Sequence, residues 1–280
     1  MIEICALASG SNGNCYYIGN EEDAILIDAG ISCKQILVRM EERGLDAKKV
    51  RAVFISHEHS DHVRGVRVLG KKLDIPAYLT QGTFKSLYFT NQPMAARFFK
   101  PGEPVNIGAF TIHPFLKNHD ASEPTSFRIE SSGLNIGVFT DIGTACLNVS
   151  SQLNRCNAIF LETNYDEKML WEGSYPYHLK KRIGSDVGHL SNKQAFDLLS
   201  KHAGKELQCV FLSHLSAENN TPQKAYEEIK PLSRKFEVKL TSREKAGEVF
   251  ELYINHNSLE ITLNCKPKEN PKQLDLFSCE

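Results

Sequence analysis

The stretch Ile55-Ser56-His57-Glu58-His59-Ser60-Asp61-His62 places three imidazoles and the carboxylate of Asp61 within six residues. It closes an apolar run, residues 50–55, whose β-branched side chains and polar flanks are typical of a buried strand. Imidazole and carboxylate groups bind zinc, manganese and iron, and a catalytic metal site keeps one coordination position open for water. The stretch therefore predicts a metal site in the loop at the end of a strand.

Further candidate ligands follow other apolar runs along the chain. Asp28 closes residues 24–27, Asp141 follows residues 136–140, and His214 follows residues 209–213. His119, in Asn118-His119-Asp120, is a fourth candidate, with His113 as its alternative. His113 ranks second because it lies inside a strand-like run and precedes Pro114. A solitary histidine in such a place is more often structural, so the ordered set carries more weight than any member.

The series His57-x-His59-x-Asp61-His62, Asp28, His119, Asp141 and His214 resembles the metallo-β-lactamase fold hydrolases. The resemblance covers residues 1–262 and implies an α/β (α+β) fold, a four-layer αβ/βα sandwich with two divalent metal ions at one edge. It implies that His57, His59 and His119 hold one ion, that Asp61, His62 and His214 hold the other, and that Asp141 bridges them. Asp28 is expected to support the metal loop from behind. Zn²⁺, Mn²⁺ and Fe all suit these ligands.

Two more residues narrow the branch of the superfamily. Glu162 closes the apolar run 158–161, and His189 stands in Val187-Gly188-His189-Leu190-Ser191. This series resembles ribonuclease Z and related nucleic-acid phosphodiesterases, in which a Glu–His pair assists proton transfer to the leaving oxygen. We therefore expect His189 to act as general acid, oriented by Glu162, and Asp61 to orient the attacking water. The alternative is that His189 merely precedes a helix capped by Ser191 or Asn192.

The N-terminal segment Ser9-Gly10-Ser11-Asn12-Gly13-Asn14 adds a finer resemblance. With Asn118-His119-Asp120-Ala121 and Gly188-His189-Leu190-Ser191-Asn192, it looks like the YycJ/WalJ-like bacterial branch. That branch implies a 5′→3′ exodeoxyribonuclease with a link to DNA mismatch repair. Glycine and asparagine tolerate left-handed turns that aim backbone N–H groups at an anion. Substrate contacts are therefore expected from Ser9, Ser11, Asn12 and Asn14, although an ordinary hairpin would read the same way.

Basic residues cluster in two places despite a net charge of only −1, which is low for a nucleic-acid binder. Lys180, Lys181 and Arg182 lead into His189 and are expected to hold backbone phosphates. The same segment contains aromatic or imidazole rings that would stack on bases or form a small core of their own: Trp171, Tyr175, Tyr177 and His178. The second cluster follows the metal loop and comprises Arg64, Arg67, Lys71 and Lys72; for the two lysines a solvated helix face is the expectation.

The C-terminal end differs in composition from the rest of the chain. Residues 1–263 are expected to form the catalytic domain, and residues 264–280, rich in Lys, Pro and Asn, a flexible tail. Within it, Gln273-Leu274-Asp275-Leu276-Phe277 resembles the bacterial sliding-clamp-binding motif. Gln273, Leu274, Leu276 and Phe277 would then dock into a hydrophobic pocket of the clamp. The alternative is that these side chains fold back onto the protein's own surface.

Length and composition limit the classes of protein to which this chain can belong. The 280 residues suit one large domain, no apolar stretch reaches 18 residues, and the start lacks a signal-peptide pattern, so a cytoplasmic protein without a membrane partner is expected. Eight cysteines without a Cys-x-x-Cys pair favour reduced thiols. The sequence thus predicts a dinuclear metal-dependent phosphodiesterase that acts on DNA. Its alternatives are a ribonuclease or small-molecule phosphodiesterase on the same fold, and a non-catalytic clamp-bound adaptor.

Overall fold

Two mixed β-sheets form the centre of the protein. The computed structural model of the chain describes residues 1–254 and 261–266. Within these ranges the first sheet contains eight strands: β1 (Ile2–Ala8), β2 (Cys15–Gly19), β3 (Ala24–Ile27), β4 (Val50–Phe54), β5 (Ala77–Leu79), β6 (Ala96–Phe98), β14 (Phe250–Ile254) and β15 (Ile261–Cys265). The second contains seven: β7 (Val105–Ile107), β8 (Phe110–Leu116), β9 (Thr125–Ser131), β10 (Leu134–Phe139), β11 (Ala158–Glu162), β12 (Cys209–Ser213) and β13 (Glu237–Leu240). The strand orders are β15-β14-β1-β2-β3-β4-β5-β6 and β13-β12-β11-β10-β9-β8-β7.

Helices cover the outer faces of both sheets. In the described ranges they are α1 (Cys33–Glu41), α2 (Ser60–Val63), α3 (Val66–Leu73), α4 (Gln81–Ser86), α5 (Leu147–Leu153), α6 (Glu167–Glu172), α7 (Tyr177–Ile183), α8 (Asn192–His202) and α9 (Pro222–Ile229). Ser191 caps α8 in a capping box with Gln194, and Thr221 caps α9 with Pro222 in its first turn. None of these helices has both the length and the apolar character that crossing a bilayer requires.

Three apolar cores separate four layers. Between the sheets, Phe54 of β4 packs in one cluster with Phe127 of β9 and Phe160 of β11. On the far side of the first sheet, α1 and α3 contribute Ile36 and Leu69 to a second cluster; α5, α8 and α9 cover the second sheet in the same way. Because both of its faces are covered, β3 is apolar throughout, and β11 is apolar up to Glu162. The predicted four-layer sandwich is confirmed.

One edge of the paired sheets gathers the carboxyl ends of parallel strands. β3, β4 and β5 run parallel in the first sheet, and β10, β11 and β12 in the second. Three residues within two positions of the ends of these strands have left-handed backbone conformations, with φ of 62° at Asp28, 54° at Asp141 and 55° at His214. A left-handed conformation at a residue other than glycine costs about 1–3 kcal/mol of conformational free energy, and such strained residues cluster at functional sites. These sharp corners turn all three side chains toward the same edge.

The last described strand extends past residue 263, the predicted end of the catalytic domain. β15 continues to Cys265 because Asn264 and Cys265 pair with Glu251 and Phe250 of β14. Lys266 Nζ then binds Glu3 Oε1 at 2.6 Å. The predicted clamp-binding motif at residues 273–277 lies outside the described residues. All seven described cysteines are free thiols, and five of them are buried.

Candidate metal centre

Three imidazole nitrogens converge beyond the end of β4. His57 Nε2 lies 3.1 Å from His59 Nδ1, and His119 Nε2 lies 3.3 Å from that same His59 atom. Zn–N bonds of about 2.0–2.1 Å in a tetrahedral site separate the ligand nitrogens by roughly 3.3 Å. The loop after β4 and the loop after β8 therefore bring these rings together at the spacing of a ligand set.

A second group lies beside the first. Asp61 Oδ2 is 3.4 Å from His62 Nε2 and 3.6 Å from His214 Nε2. Asp141 stands between the groups, with Oδ2 3.1 Å from His62 Nε2 and Oδ1 3.7 Å from His119 Nε2. The seven predicted ligands thus form two adjoining groups that share one carboxylate.

Two atoms of the centre lack partners of their own. His214 Nε2 and Asp141 Oδ2 are buried, and neither makes a hydrogen bond of normal geometry in the described part of the chain. Leaving a buried polar atom unsatisfied costs about 1–3 kcal/mol, and more for a charged group. Nitrogen and carboxylate ligands directed at one small volume satisfy each other when divalent cations lie between them. The residues present therefore fit divalent metal ions.

Each buried ring is oriented through its other nitrogen. His62 Nδ1 donates to Asp28 Oδ2 at 2.7 Å, His214 Nδ1 to Glu162 Oε1 at 2.9 Å, and His119 Nδ1 to the Gly188 carbonyl at 3.0 Å. Because these oxygens accept hydrogen bonds, they hold the proton on Nδ1 and turn Nε2 toward the centre. Such support from outside the ligand set fixes the tautomer and strengthens a metal ligand.

Asp28 lies behind the metal loop. Its carboxylate accepts the Ser56 N–H at 2.8 Å and the Ser56 hydroxyl at 2.9 Å, in addition to His62. Ser56 Oγ is in turn 2.9 Å from His57 Nδ1. All four residues are buried. One carboxylate therefore controls the orientation of a ring in each ligand group.

Glu162 joins the ligand groups to His189. Its Oε1 accepts from His189 Nδ1 at 2.8 Å as well as from His214, while Oε2 accepts the N–H groups of Ile142 at 2.7 Å and Leu190 at 3.1 Å. Burial raises the pKa of this carboxyl, but His189 and His214 outweigh it and lower the pKa to about 2. Glu162 is therefore an ionised, fully buried acceptor, whereas the His189 side chain keeps 16% of its surface exposed.

Burial and charge divide the histidines into two kinds. Burial lowers the pKa of His57 well below its usual value and that of His119 to about 4, so both rings are neutral, as metal ligands must be. Burial acts the same way on His214, but Asp141, Asp61 and Glu162 outweigh it and raise the pKa to about 10. The centre thus carries exchangeable protons that metal binding would release.

The predicted substrate residues of the N-terminal turn differ in burial. Ser9 is buried, and its Oγ accepts the His214 N–H at 2.8 Å. Asn14 is also buried, with Nδ2 bonded to the Gly10 carbonyl at 3.2 Å and 3.2 Å from His62 Nε2. Ser11 and Asn12 are exposed. Ser9 and Asn14 therefore contact ligand residues from inside, which leaves Ser11 and Asn12 as the pair that faces solvent.

The segment before His189 forms two short helices, α6 and α7. On α7, Lys180 Nζ donates to the Trp171 carbonyl at 2.8 Å, Lys181 is exposed, and Arg182 pairs with Asp120. Asp120 adjoins His119, with Oδ1 3.5 Å from His119 Nε2. The basic end of α7 therefore lies next to the metal centre.

The ring-bearing residues of that segment divide between the two predicted arrangements, a small core and an exposed surface. Tyr175 packs on a small core of Tyr165, Leu170 and Ile183. Trp171, Tyr177 and His178 are exposed. Packing therefore explains the position of Tyr175 but not that of the other three rings.

The alternative ligand His113 lies on β8, where its Nε2 is 3.2 Å from Glu130 Oε2. It belongs to none of the ligand groups found among the described residues, whereas His119 does. Among the described residues, the grouping of possible ligands therefore includes His119 and not His113.

Lys117 was not predicted as part of the site. It is buried, and its Nζ donates to the Thr140 carbonyl at 2.7 Å, directly before Asp141. Burial lowers the pKa of this ammonium, and the surrounding carboxylates oppose that effect. In the sequence, Phe110, Ile112 and Pro114 predict that Leu116 faces inward and Lys117 outward, so strand alternation holds no signal that would have found Lys117.

Comparison with known proteins agrees with this geometry. Residues 8–116 match the metallo-beta-lactamase superfamily. The chain is 33% identical over 258 residues to exodeoxyribonuclease YycJ of Bacillus anthracis. The aligned region covers 90% of this chain and 94% of the relative. The chain is 32% identical over 225 residues to exodeoxyribonuclease WalJ of Streptococcus pneumoniae, over 79% of this chain and 84% of the relative.

Among solved structures, the metallo-beta-lactamase fold protein YhfI of Bacillus subtilis superposes with a TM-score of 0.67 at 18% identity, over 89% of this chain and 100% of that one. This likeness concerns the fold, and the sequence relatives define the family. The chain therefore belongs to the metallo-beta-lactamase superfamily, in the same family as the YycJ and WalJ proteins, and is a metal-dependent hydrolase.

Proposed function

We propose that the chain is a dinuclear phosphodiesterase that digests DNA in the 5′→3′ direction, in the cytoplasm and in the service of DNA repair. The observation that carries the proposal is the Glu162 carboxylate, which accepts from the ring of His214 and from the more exposed ring of His189. A general acid beside a metal centre is what a poor leaving group such as a sugar oxygen requires. The names of the two sequence relatives support DNA as the substrate.

In this proposal, His57, His59 and His119 would hold one divalent ion, Asp61, His62 and His214 would hold the other, and the Asp141 carboxylate between the two groups would serve both. Bound ions of this kind supply a water of lowered pKa and neutralise the charge that develops at phosphorus. Zn²⁺ and Mn²⁺ both suit the mixture of imidazole and carboxylate, and Fe is a third candidate.

The chain's own residues handle the protons. The His189 Nδ1–H···Oε1 bond to Glu162 leaves Nε2 on the opposite side of the ring, from which a proton passes to the leaving sugar oxygen. Glu162 stabilises the charged ring because its own pKa of about 2 keeps it ionised. Asp61 keeps 19% of its side chain exposed at the mouth of the centre and orients the attacking water.

The substrate backbone is held on either side of the centre. Ser11 and Asn12 in the turn after β1 and Lys181 and Arg182 on α7 contact phosphate oxygens. The Arg182 guanidinium exchanges part of its bond to Asp120 for a phosphate. Lys180, Ser9 and Asn14 act from behind, through the contacts described above.

The test is digestion of end-labelled DNA by metal-free protein reloaded with Zn²⁺ or Mn²⁺ in turn. We expect label at the 5′ end to be released at once as small products, while label at the 3′ end persists on progressively shorter strands. A His59→Ala/Asp141→Ala double variant is the control and should release neither. RNA of the same sequence and a cyclic nucleotide form the other arms, and intact DNA beside digested RNA would make the protein a ribonuclease.

We also propose that Gln273, Leu274, Leu276 and Phe277 dock the chain onto a sliding clamp. A short clamp-binding peptide has modest affinity by itself, but tethering to the clamp raises the concentration of the enzyme at DNA. A Leu276→Ala/Phe277→Ala variant should lose clamp binding in a titration with purified clamp while its hydrolysis of free DNA stays unchanged. Equal binding by this variant and the unaltered chain would refute the docking proposal.

A further inference from the structure

The charge of the chain is unevenly distributed along its length. Residues 64–100 contain seven basic residues and one acidic residue, Asp74, which gives this segment a net charge of +6. Because the whole chain carries −1, the remaining residues carry −7. The segment starts two residues after the ligand His62. A local concentration of positive charge of this size is typical of a surface that binds a polyanion.

Most of these charges lack acidic neighbours. Arg64, Lys71, Lys72 and Lys85 are exposed, and none lies within 4 Å of a carboxylate in the part of the chain that the structure describes. Lys100 is different, since its Nζ is 3.7 Å from Glu103 Oε1. Unpaired cations on one surface repel one another, so they favour a ligand that brings negative charge.

Exposed apolar side chains lie in the same segment. Tyr88 is 80% exposed, Met94 66% and Phe98 50%. The Phe98 ring contacts Phe84 edge-on, with centroids 5.5 Å apart. Next to Phe98 opens a groove of about 580 Å³, lined also by Gln81, Phe99, Lys100, Val105 and Glu123. Aromatic rings among cations stack on unpaired bases, which a duplex keeps inside.

Contacts connect this surface to the metal centre. α4 follows β5, which is the parallel neighbour of β4, so α4 starts at the sheet edge that carries the metal loop. The Gly82 N–H at the start of α4 donates to Glu123 Oε2 at 3.0 Å, and Ser122 N–H donates to Glu58 Oε1 at 2.8 Å. The loop with His119 thus touches both α4 and the metal loop.

A second contact joins α3 to the same surface. Arg67 Nη1 on α3 donates to the Gln92 carbonyl at 2.9 Å, in the connection between α4 and β6. These contacts link α3, α4 and the connection to β6 with one another and with the metal centre.

We infer that this basic face, defined by Arg64, Lys71, Lys72, Lys85, Tyr88 and Phe98, binds the single-stranded part of the DNA that leads away from the metal centre. The inference rests on the proposed function for the identity of the nucleic acid. The lysines hold phosphates and the rings of Tyr88 and Phe98 stack on bases. Lys71 and Lys72, expected from sequence to be merely solvated, belong to the face because no carboxylate of residues 1–254 or 261–266 lies within 4 Å of their charges.

The experiment measures binding, so it does not depend on cleavage. A fluorescent, nuclease-resistant phosphorothioate single strand is titrated with the metal-loaded full chain, and anisotropy gives the Kd at several salt concentrations. An Arg64→Glu/Lys85→Glu variant should raise the Kd at least about tenfold and reduce the slope of log K against log salt by about 1.4, since each phosphate contact on a single strand contributes about 0.7. A Tyr88→Ala variant should raise the Kd about tenfold with no change of slope, because it removes stacking and no charge.

A Lys201→Glu/Lys205→Glu variant, altered at exposed residues on and just after α8 of the opposite layer, is the matched control and should change the Kd by less than about twofold. Equal weakening by both charge variants, an unchanged Kd in the first, or binding of a duplex as tight as that of a single strand would each overturn the inference. Failure of the proposed function shows separately, as tight single-strand binding by a chain that hydrolyses no DNA.

Discussion

Replacement of Glu162 by glutamine tests how the centre and the proposed acid cooperate. The carboxylate accepts four hydrogen bonds, two on each oxygen. A glutamine amide has one acceptor oxygen and one donor nitrogen, so either the two rings or the two backbone N–H groups must face a donor. Bonds to a charged group are worth about 1.5–3 kcal/mol each, so the loss of two lowers the free energy of unfolding by about 3 kcal/mol or more.

The lowered pKa of Glu162 gives an independent value for the free energy that the ionised carboxylate contributes to folding. Its shift from 4.5 to about 2 corresponds to about 3 kcal/mol of preference for the ionised form in the folded protein. The two routes agree in order of magnitude. The Glu162→Gln variant should therefore remain folded but show a clearly lower urea concentration at the midpoint of unfolding.

Catalysis should fall in a way that depends on the leaving group. A general acid contributes about 10²–10⁴-fold, so Glu162→Gln and His189→Ala should each reduce kcat on DNA at least about 100-fold. A p-nitrophenyl ester of thymidine 5′-phosphate releases a weakly basic phenolate that needs little protonation, so its hydrolysis should fall less than about tenfold. The two substrates are assayed side by side in the metal-loaded enzyme.

Glu167→Gln is the matched control, since Glu167 is an exposed carboxylate that accepts from Ser191 Oγ at 3.1 Å. It should leave both rates unchanged. Equal losses on DNA and on the p-nitrophenyl ester in Glu162→Gln would refute the proposed acid, because they would indicate general damage to the centre.

Further predictions concern the support of the ligands, the protons and the ions. Asp28→Asn should weaken binding of both ions at least about tenfold in chelator competition, because Asp28 orients His62 directly and His57 through Ser56; unchanged affinity would contradict this. In metal-free protein the pKa of His214 is raised from 6.5 to about 10, so its stabilising contribution is complete below pH 6.5 and is lost as pH rises through 10. Urea unfolding at pH 6.5 and pH 10 should show that loss, and a flat profile would count against it. Because metal binding releases that proton, affinity should rise with pH across the same window in calorimetry. Removal of both ions by a chelator should also lower the Tm, since Asp141 and His214 then keep unsatisfied buried atoms.

The ligand set was accessible from sequence because each ligand follows an apolar strand. His57 follows β4, Asp141 follows β10 and His214 follows β12, and parallel strands end at a common edge. The pairing of ligands into two groups came from the resemblance, not from spacing. The left-handed corners at Asp28, Asp141 and His214 were not predicted, since no glycine marks them.

The elements that sequence reasoning missed are the exposed ones. β6 and β13 are short, partly exposed edge strands that contain Arg97, Glu237 and Lys239, so no apolar period reveals them. The strand-like run that contains His113 is β8, and a separate short strand, β7, precedes it because Gly108 turns between the two with φ of 53°. α6 and α7 lie in a segment of mixed polar and aromatic residues, where the helical pattern is weak.

The central claim is that seven side chains between residues 57 and 214 hold two divalent ions, and elemental analysis of the purified full-length chain tests it most directly. We predict two ions of Zn, Mn or Fe per chain, and about one or fewer in an Asp141→Ala variant, whose groups lose their shared carboxylate. A fully folded chain that binds no divalent metal after incubation with Zn²⁺ or Mn²⁺ would contradict the account.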